Sequence, residues 1–372
     1  MTAKLKLGMV GGGQGAFIGG VHRIAARIDG EWDLVAGALS SNPERARASA
    51  AELGIAEDRA YSDFNEMARA EAAREDGIDA VAIVTPNHMH AAPAIAFLNA
   101  GINVICDKPL AATTEDAEAV AAAVKASGRH FILTHNYTGY PLTRQAREMI
   151  AAGDIGAVRV VQVEYAQDWL TEEVHNKQAD WRTDPAKSGG GGAVGDIGTH
   201  AYNLACFVTG LKANALAADL TAFVEGRRLD DNVNVMLRFE GGAKGMLWAS
   251  QVAVGNENAL RLRVYGSKGG LEWDQETPNV LRFTPFGEPP RLLTRGGAGG
   301  TADGQANLRT PGGHPEGYLE AFATIYANAA AVIRDGSRAG APLPGIEDGL
   351  SGMRFIAACI ESSGNDSAWT RL

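Results

Sequence analysis

The sequence predicts an α/β chain in two parts: a doubly wound parallel domain at the N-terminus, then an α+β domain with a mostly antiparallel open sheet. Three observations carry that prediction. An apolar strand beginning at Leu5 runs straight into six glycines and an apolar, helix-compatible stretch, reading LKLGMVGGGQGAFIGGVH. Continuous apolar runs then alternate with helical segments to about residue 135, as strands buried on both faces do. Beyond about residue 140 the pattern changes to strict two-residue alternation, the mark of strands with one solvated face.

The first turn has the order that a dinucleotide pyrophosphate requires. Gly11 permits the tight turn and Gly13 lets the backbone approach the phosphates, while either Ala16 or Gly19 is the small residue that lets helix and strand pack closely. Phe17 and Ile18 open the helix, whose free N–H groups and partial positive charge face the anion. A strand over 32–39 comes next. Asn42, Pro43 and Glu44 then supply a side-chain cap, a proline at the first helical position and a first-turn acid, so a helix runs to about Leu53 and stops at Gly54. Another helix starts near Ser62. Buried strands follow over 80–84, 104–106 and 131–134, and Thr113 with Asp116 forms a capping box for a helix ending before Gly128. Such a sheet presents its ligand at the carboxyl ends of its strands.

In the second part, 232–239 sets Val233, Val235, Leu237 and Phe239 on one face and Asn232, Asn234, Met236 and Arg238 on the other. Further extended segments fall at 158–166, 217–224, 245–252 and 260–266. A sheet with helices on one face leaves the other to water or a partner, so a homodimer or homotetramer through the open sheet face is expected. The expected domains are 1–135, 136–345, and 346–372 as a C-terminal helix and tail packing back on the first domain. Residues 188–192, SGGGG, and 296–313, with seven glycines in eighteen residues, read as loops with few apolar anchors. The longer one is either a lid that closes over a ligand or a slack surface connection.

The 372 residues, 45% of them apolar, suffice for two proper cores. A net charge of −10 opposes a general affinity for nucleic acid or anionic membrane, so the expected partner is a small molecule. No apolar run reaches spanning length, and the first strand leaves no room for a signal peptide, so a cytoplasmic location is expected. Cys106, Cys206 and Cys359 are widely spaced and odd in number, which gives neither a disulfide framework nor a zinc site.

Three segments could carry chemistry. Lys108 directly follows the apolar strand before Asp107, so it either meets a reacting oxygen at the strand's carboxyl end or is a surface lysine in a turn before Pro109. Asp196 and His200, four residues apart just after the glycine run, share one face if they lie on one helix, with Asn203 a turn further on. A carboxylate beside an imidazole fixes its orientation, as a proton shuttle needs. Thr85, Pro86, Asn87 and His90 follow the buried strand and suit contacts to a cofactor's ribose or amide. His88 and His90 lack a compact third ligand, so a metal is rejected.

Taken together these segments resemble the Gfo/Idh/MocA family of NAD(P)-dependent oxidoreductases over nearly the whole chain. That family's Rossmann domain carries a glycine loop, a T-P-N-x-x-H segment and an E-K-P motif with a lysine at the catalytic centre. Thr85, Pro86, Asn87 and His90 match the second element, and Lys108 with Pro109 matches the third. Gly190, Gly191 and Gly192, then Asp196, Gly198 and His200, match its G-G-G-x-x-x-D-x-G-x-H-x-x-D signature. The resemblance implies that Lys108 and His200 flank the substrate with Asp196 orienting it, and that Asn136 lies on the segment entering the second domain, at the cofactor. Asp107 stands where glutamate is usual, Asn203 where aspartate is usual, and the glycine loop is about three residues longer than the common form. No ribose-binding acid follows the second strand. Ser40, Ser41 and Asn42 stand there with Arg45 nearby, so the coenzyme is NAD or NADP. The implied reaction is hydride transfer between nicotinamide and a ring hydroxyl or ketone of a sugar, glycoside or inositol. The same motifs also allow a non-sugar carbonyl or dihydrodiol, or a sensor that binds the dinucleotide without turnover. Asp168, Trp169, Trp181, Arg182, His314 and Tyr318 suit a sugar-like ring by stacking and hydrogen bonding, with core packing the alternative for the tryptophans.

Overall fold

The computed structural model describes residues 3–335 and 342–372. Two compact units divide the chain among these residues: Met1–Asn136 with Phe322–Leu350, and Tyr137–Ala321 with Ser351–Leu372.

The first unit follows its sequence pattern closely. In chain order it runs β1 Leu5–Gly11, α1 Phe17–Ile28, β2 Trp32–Ala38, α2 Pro43–Glu52, α3 Phe64–Ala73, β3 Ala80–Val84, α4 Ala91–Asn99, β4 Asn103–Cys106, α5 Thr114–Ser127 and β5 Phe131–Leu133. All strand pairs are parallel, in the order β2-β1-β3-β4-β5. The order reverses at β1, so the switch point that binds ligands in such sheets lies between the carboxyl ends of β1 and β3. Every residue of β3, β4 and β5 is buried, as continuous apolar runs require. Asn42 and Thr113 cap α2 and α5 as their sequences predict, accepting from Arg45 N and Asp116 N. Asp63 caps α3, so that helix begins just past Ser62.

The second unit is built on a nine-stranded sheet. Its elements are α6 Pro141–Ala152, β6 Val158–Ala166, α7 Lys177–Arg182, α8 Pro185–Ser188, α9 Thr199–Thr209, β7 Ala213–Thr221, β8 Asn232–Phe239, β9 Lys244–Ser250, β10 Ala259–Gly266, β11 Gly269–Asp274, β12 Val280–Pro285, β13 Arg291–Thr294 and α10 Ala302–Ala306. The helices α11 Tyr318–Asp335 and α12 Ile346–Gly364 and the strand β14 Thr370–Arg371 complete the chain. The order is β13-β12-β11-β10-β6-β9-β8-β7-β14, antiparallel except for the pair β6 and β9. Val233, Val235, Leu237 and Phe239 are buried, while Asn234, Met236 and Arg238 are exposed on the other face.

Several expectations shift. The strand expected at 217–224 ends at Thr221, because Phe223 N and Val224 N donate to the buried Asp231 carboxylate instead of to a neighbouring strand. Residues 322–350 group with the first unit, not the second. Of the expected 346–372 segment, 346–350 group with the first unit and 351–372 with the second, where Ser362 Oγ accepts from Ala218 N at 2.9 Å and β14 pairs with β7. The glycine-rich stretch 296–313 is anchored. It contains α10, and the fully buried Arg144 guanidinium donates to both Asp303 carboxylate oxygens at 3.1 Å. Arg295 and Glu316, both buried, pair at 2.8 Å beside it. No helix of the described residues is long and apolar enough to cross a membrane.

Candidate functional site

In the first unit the expected cofactor residues gather at the carboxyl ends of the five strands. The chain leaves β1 through Gly11 and Gly12, at φ of 79° and 72°. Gly19, not Ala16, is the close-packing position: a Cβ on it would stand 2.4 Å from Gly12 Cα and 2.7 Å from Gly12 O. Ala16 is the N-cap of α1 and donates its N–H to Gly13 O at 3.0 Å. A Cβ on Gly13 would meet Leu39 O at 2.7 Å and Ser49 Oγ at 2.8 Å, so the turn lies tight against the ends of β2 and α2. Arg23 braces it from behind by donating to Gly12 O at 2.6 Å. Phe17 is 66% exposed and Ile18 half-buried at the start of α1. After β2, Ser40 Oγ accepts from Asn42 N at 3.2 Å, Ser41 and Arg45 are exposed, and the first acid is the exposed Glu44 in the first turn of α2.

Beyond β3, Thr85 Oγ1 donates to Met89 O at 2.8 Å and closes a short turn that buries Asn87 behind Pro86. His90 is buried, with Nδ1 2.7 Å from Pro109 O and Nε2 2.8 Å from Thr85 O. Both ring nitrogens thus face backbone carbonyls of the chain itself, so His90 ties the two loops together. Burial lowers its pKa, and the neutral ring donates to one carbonyl at a time. Asp107 follows β4. Its N–H donates to Ile83 O at 2.9 Å, and its Oδ1 accepts from Thr134 Oγ1 at 2.9 Å. Burial opposes its charge, but the side chains of His22, Lys108 and His90 outweigh that and hold the carboxyl well below the usual range. Lys108 is half-buried beside it. Buried His135, after β5, is pushed down to about 3, chiefly by burial and then by the Lys108 charge.

A dinucleotide fits this turn. Within the turn Gln14 N donates to Ser49 Oγ at 3.1 Å and Ala16 N to Gly13 O, so an anion would be met by the other N–H groups where the turn opens α1. Asn136 Nδ2 is buried without a hydrogen-bond partner, a donor that the acceptor of a bound group would satisfy.

In the second unit, the glycine run ends at the buried Asp230, whose carboxylate accepts from Gly192 N at 2.6 Å and Val194 N at 2.8 Å. Burial outweighs those bonds and pushes it up to about 6. Val194–Gly198 is a π turn that leads into α9, so Asp196 and His200 are not on one regular α-helix as expected. Turns of this kind are frequent at functional sites. Asp196 Oδ2 accepts from Arg182 Nε at 3.1 Å and Gln251 Nε2 at 2.9 Å. The Arg182 guanidinium lies 4.2 Å over the Trp181 ring and 6.0 Å from that of Trp169. Both tryptophans are half-buried, and they hold this arginine rather than fill the core.

His200 is buried with its ring edge-on to Tyr137 at 4.9 Å and tilted 6.2 Å from Tyr165. The two phenol oxygens are hydrogen-bonded to each other, and Tyr165 donates to Asn258 Oδ1 at 2.7 Å. Asp168 Oδ2 accepts from Gly255 N at 3.0 Å. Tyr318 lines an open hollow with Tyr140, Asn258, Gln275 and Glu276. The His314 side chain is exposed and its carbonyl is bound by Arg295.

Sequence reading missed Arg23, Tyr137, Tyr165, Asp230, Gln251 and Asn258. Tyr137, one residue after Asn136, carried a positional hint. The others act through partners distant in the chain, which a local pattern does not show.

Residues 5–135 match the model of an oxidoreductase family with an NAD-binding Rossmann fold, and 143–272 match the GFO/IDH/MocA C-terminal domain. The chain is 34% identical to the uncharacterized oxidoreductase YfiI of Bacillus subtilis, over 99% of this chain and 97% of that one. Its fold is similar to the crystal structure of an oxidoreductase from Sinorhizobium meliloti, with 58% identity, a TM-score of 0.92, and 99% and 100% of the two chains covered. It is also similar to an inositol dehydrogenase homolog from Azotobacter vinelandii complexed with NADH and myo-inositol, at 35% identity and a TM-score of 0.93, covering 100% and 98%.

The contact of Gly19 with Gly12 predicts that Gly19→Ala forces the turn open. Calorimetric titration should show coenzyme affinity lowered by about tenfold or more, equivalent to about 1.4 kcal/mol, while Gly20→Ala, whose Cβ would meet only Arg23 Nη2 at 3.9 Å, should leave it near wild type.

Proposed function

Because the chain belongs to the Gfo/Idh/MocA family of oxidoreductases, we propose that it is a dehydrogenase of cyclic polyols or sugars in which Lys108, Asp196 and His200 serve one reacting hydroxyl. The observation that carries this reading is the fixed corner after β4. There Asp107 is held by Thr134 and the β3 backbone, and the next residue is the lysine that the family's motif places at the catalytic centre.

The coenzyme, when bound, exchanges the hydride with the ring carbon. Lys108 Nζ hydrogen-bonds the hydroxyl oxygen, and it shares the handling of the hydroxyl proton with the His200 imidazole. Asp196 holds the geometry, and the bonds from Arg182 and Gln251 keep its carboxylate in one orientation. The tyrosine pair beside His200 limits the ring's freedom. Asp168, Trp169, Trp181 and Tyr318 offer the hydroxyl-binding and flat surfaces that a polyol ring needs. NAD is the coenzyme class of the family model, and Ser40, Ser41 and Asn42 stand just after β2 in place of the acid that would reject a 2′-phosphate, so NADP also fits. The exposed face of the sheet, with Met236, Met246 and Val160 between the Arg261, Glu164 and Arg263 ion pairs, is the surface on which two copies of the chain meet.

Mixing the protein with NAD+ or NADP+ and a panel of inositols, sugars and dihydrodiols should give reduced coenzyme, read at its absorbance band, with the cyclic polyols or sugars. Binding without turnover on the whole panel would instead mark a sensor. Lys108→Ala should lower kcat by about 10²- to 10⁴-fold while coenzyme affinity stays within about threefold; equal losses in both would contradict the assigned role. Light scattering should give at least twice the chain mass, and Met236→Glu with Met246→Glu should reduce it to that of one chain. A monomeric wild type would refute the sheet-face contact.

A further inference from the structure

Behind the Asp107 corner lies a group of buried polar side chains that the reaction above does not use. His22, on α1, is fully buried, and its Nδ1 is 2.8 Å from the hydroxyl of Tyr326 on α11. Tyr326 is itself buried. Its carbonyl accepts from Trp32 Nε1 at 3.0 Å, and its ring meets those of His22 and Trp32 edge-on at 5.8 Å and 6.2 Å. Phe322 packs tilted on the imidazole at 5.0 Å. These contacts leave the ring of His22 one orientation, with Nε2 facing Asp107 Oδ1 at 3.8 Å.

The direction of the bonds follows from the two groups that face the ring nitrogens. Among the described residues Nδ1 is the hydrogen-bond partner of the Tyr326 hydroxyl, and the carboxylate that Nε2 faces only accepts, so the arrangement that serves both has the phenol donating to Nδ1. The imidazole proton is then on Nε2, facing the carboxylate. At 3.8 Å the approach is too long for a hydrogen bond, and Nε2 has no other hydrogen-bond partner. A glutamate at 107, one methylene longer, would close that distance.

We propose that Tyr326 and His22 are positioning residues for Lys108: Tyr326 fixes the His22 tautomer, and the Nε2–H of His22 steadies the Asp107 carboxylate and with it the backbone that carries the lysine. This rests on the role given to Lys108 above. The groups that face the carboxylate are His22 from α1, His90 after β3, Lys108 beside it, and Thr134 and His135 after β5. Loss of the Nε2–H dipole leaves the carboxylate's charge less balanced, which favours the ammonium form of Lys108.

Tyr326→Phe keeps the ring and removes the donor. In the enzyme with coenzyme and polyol, kcat should fall by about tenfold with KM nearly unchanged, and the acid limb of the kcat profile should move to higher pH. Asp107→Glu in the same background should recover most of the rate. A variant with an unchanged profile, or one that loses only thermal stability, overturns the proposal. Should Tyr326→Phe not fold, nitrogen NMR of histidine-labelled wild type still decides: Nε2-protonated His22 supports the proposal, and an Nδ1-protonated or doubly protonated ring overturns it. Failure of Lys108 itself would show separately, as full turnover in Lys108→Ala.

Discussion

A carboxylate held charged inside the first unit governs the geometry of the rest. Asp107 sits where β4 ends, and an ionised group there persists only if its surroundings supply donors and opposite charge. Thr134 gives a hydrogen bond from the end of β5, His22 and His90 face it from α1 and the β3 loop, and its own N–H is fixed to Ile83 O. The ends of β3 and β5 are therefore hydrogen-bonded to the residue that precedes Lys108, and α1 approaches it through His22. His90 adds a second tie, since its ring spans the Thr85 and Pro109 carbonyls on either side of that corner. Preorganisation of this kind costs no rearrangement when a substrate arrives.

The second unit uses the same device with different chemistry. Its glycine run carries no side chains that could anchor it, so Asp230 holds it through two backbone N–H groups, and the π turn then carries Asp196 toward Arg182 and Gln251. Arg182 is fixed in turn by stacking on Trp181. The result is a carboxylate with a set direction, next to a histidine confined by two tyrosines. The large sheet beneath supplies a rigid floor on one face and leaves the other open.

Local pattern made much of this legible. The runs at Ala80–Val84 and Asn232–Phe239 have periods that fix both strand type and buried face, and the caps at Asn42 and Thr113 state where helices begin. What stayed hidden depends on partners far along the chain. The spacing of glycines left Ala16 and Gly19 equal, because the deciding contact is with Gly12 in three dimensions. The bond of Arg182 to Asp196 was hidden because nothing local announces that carboxylate as its partner. The stretch 296–313 read as a loop with few anchors, lid or slack connection, because the residues that anchor it, Arg144 and Asp303, are 159 residues apart. The tail's pairing with β7 is of the same kind.

The central claim is that the corner built on Asp107 aims Lys108 at the reacting hydroxyl. A crystal structure of the protein with a dinucleotide and myo-inositol tests it most directly. The account predicts Lys108 Nζ within about 3 Å of the oxygen on the ring carbon that faces the nicotinamide. A lysine turned to solvent, or one bonded only to the coenzyme's phosphates, would contradict it.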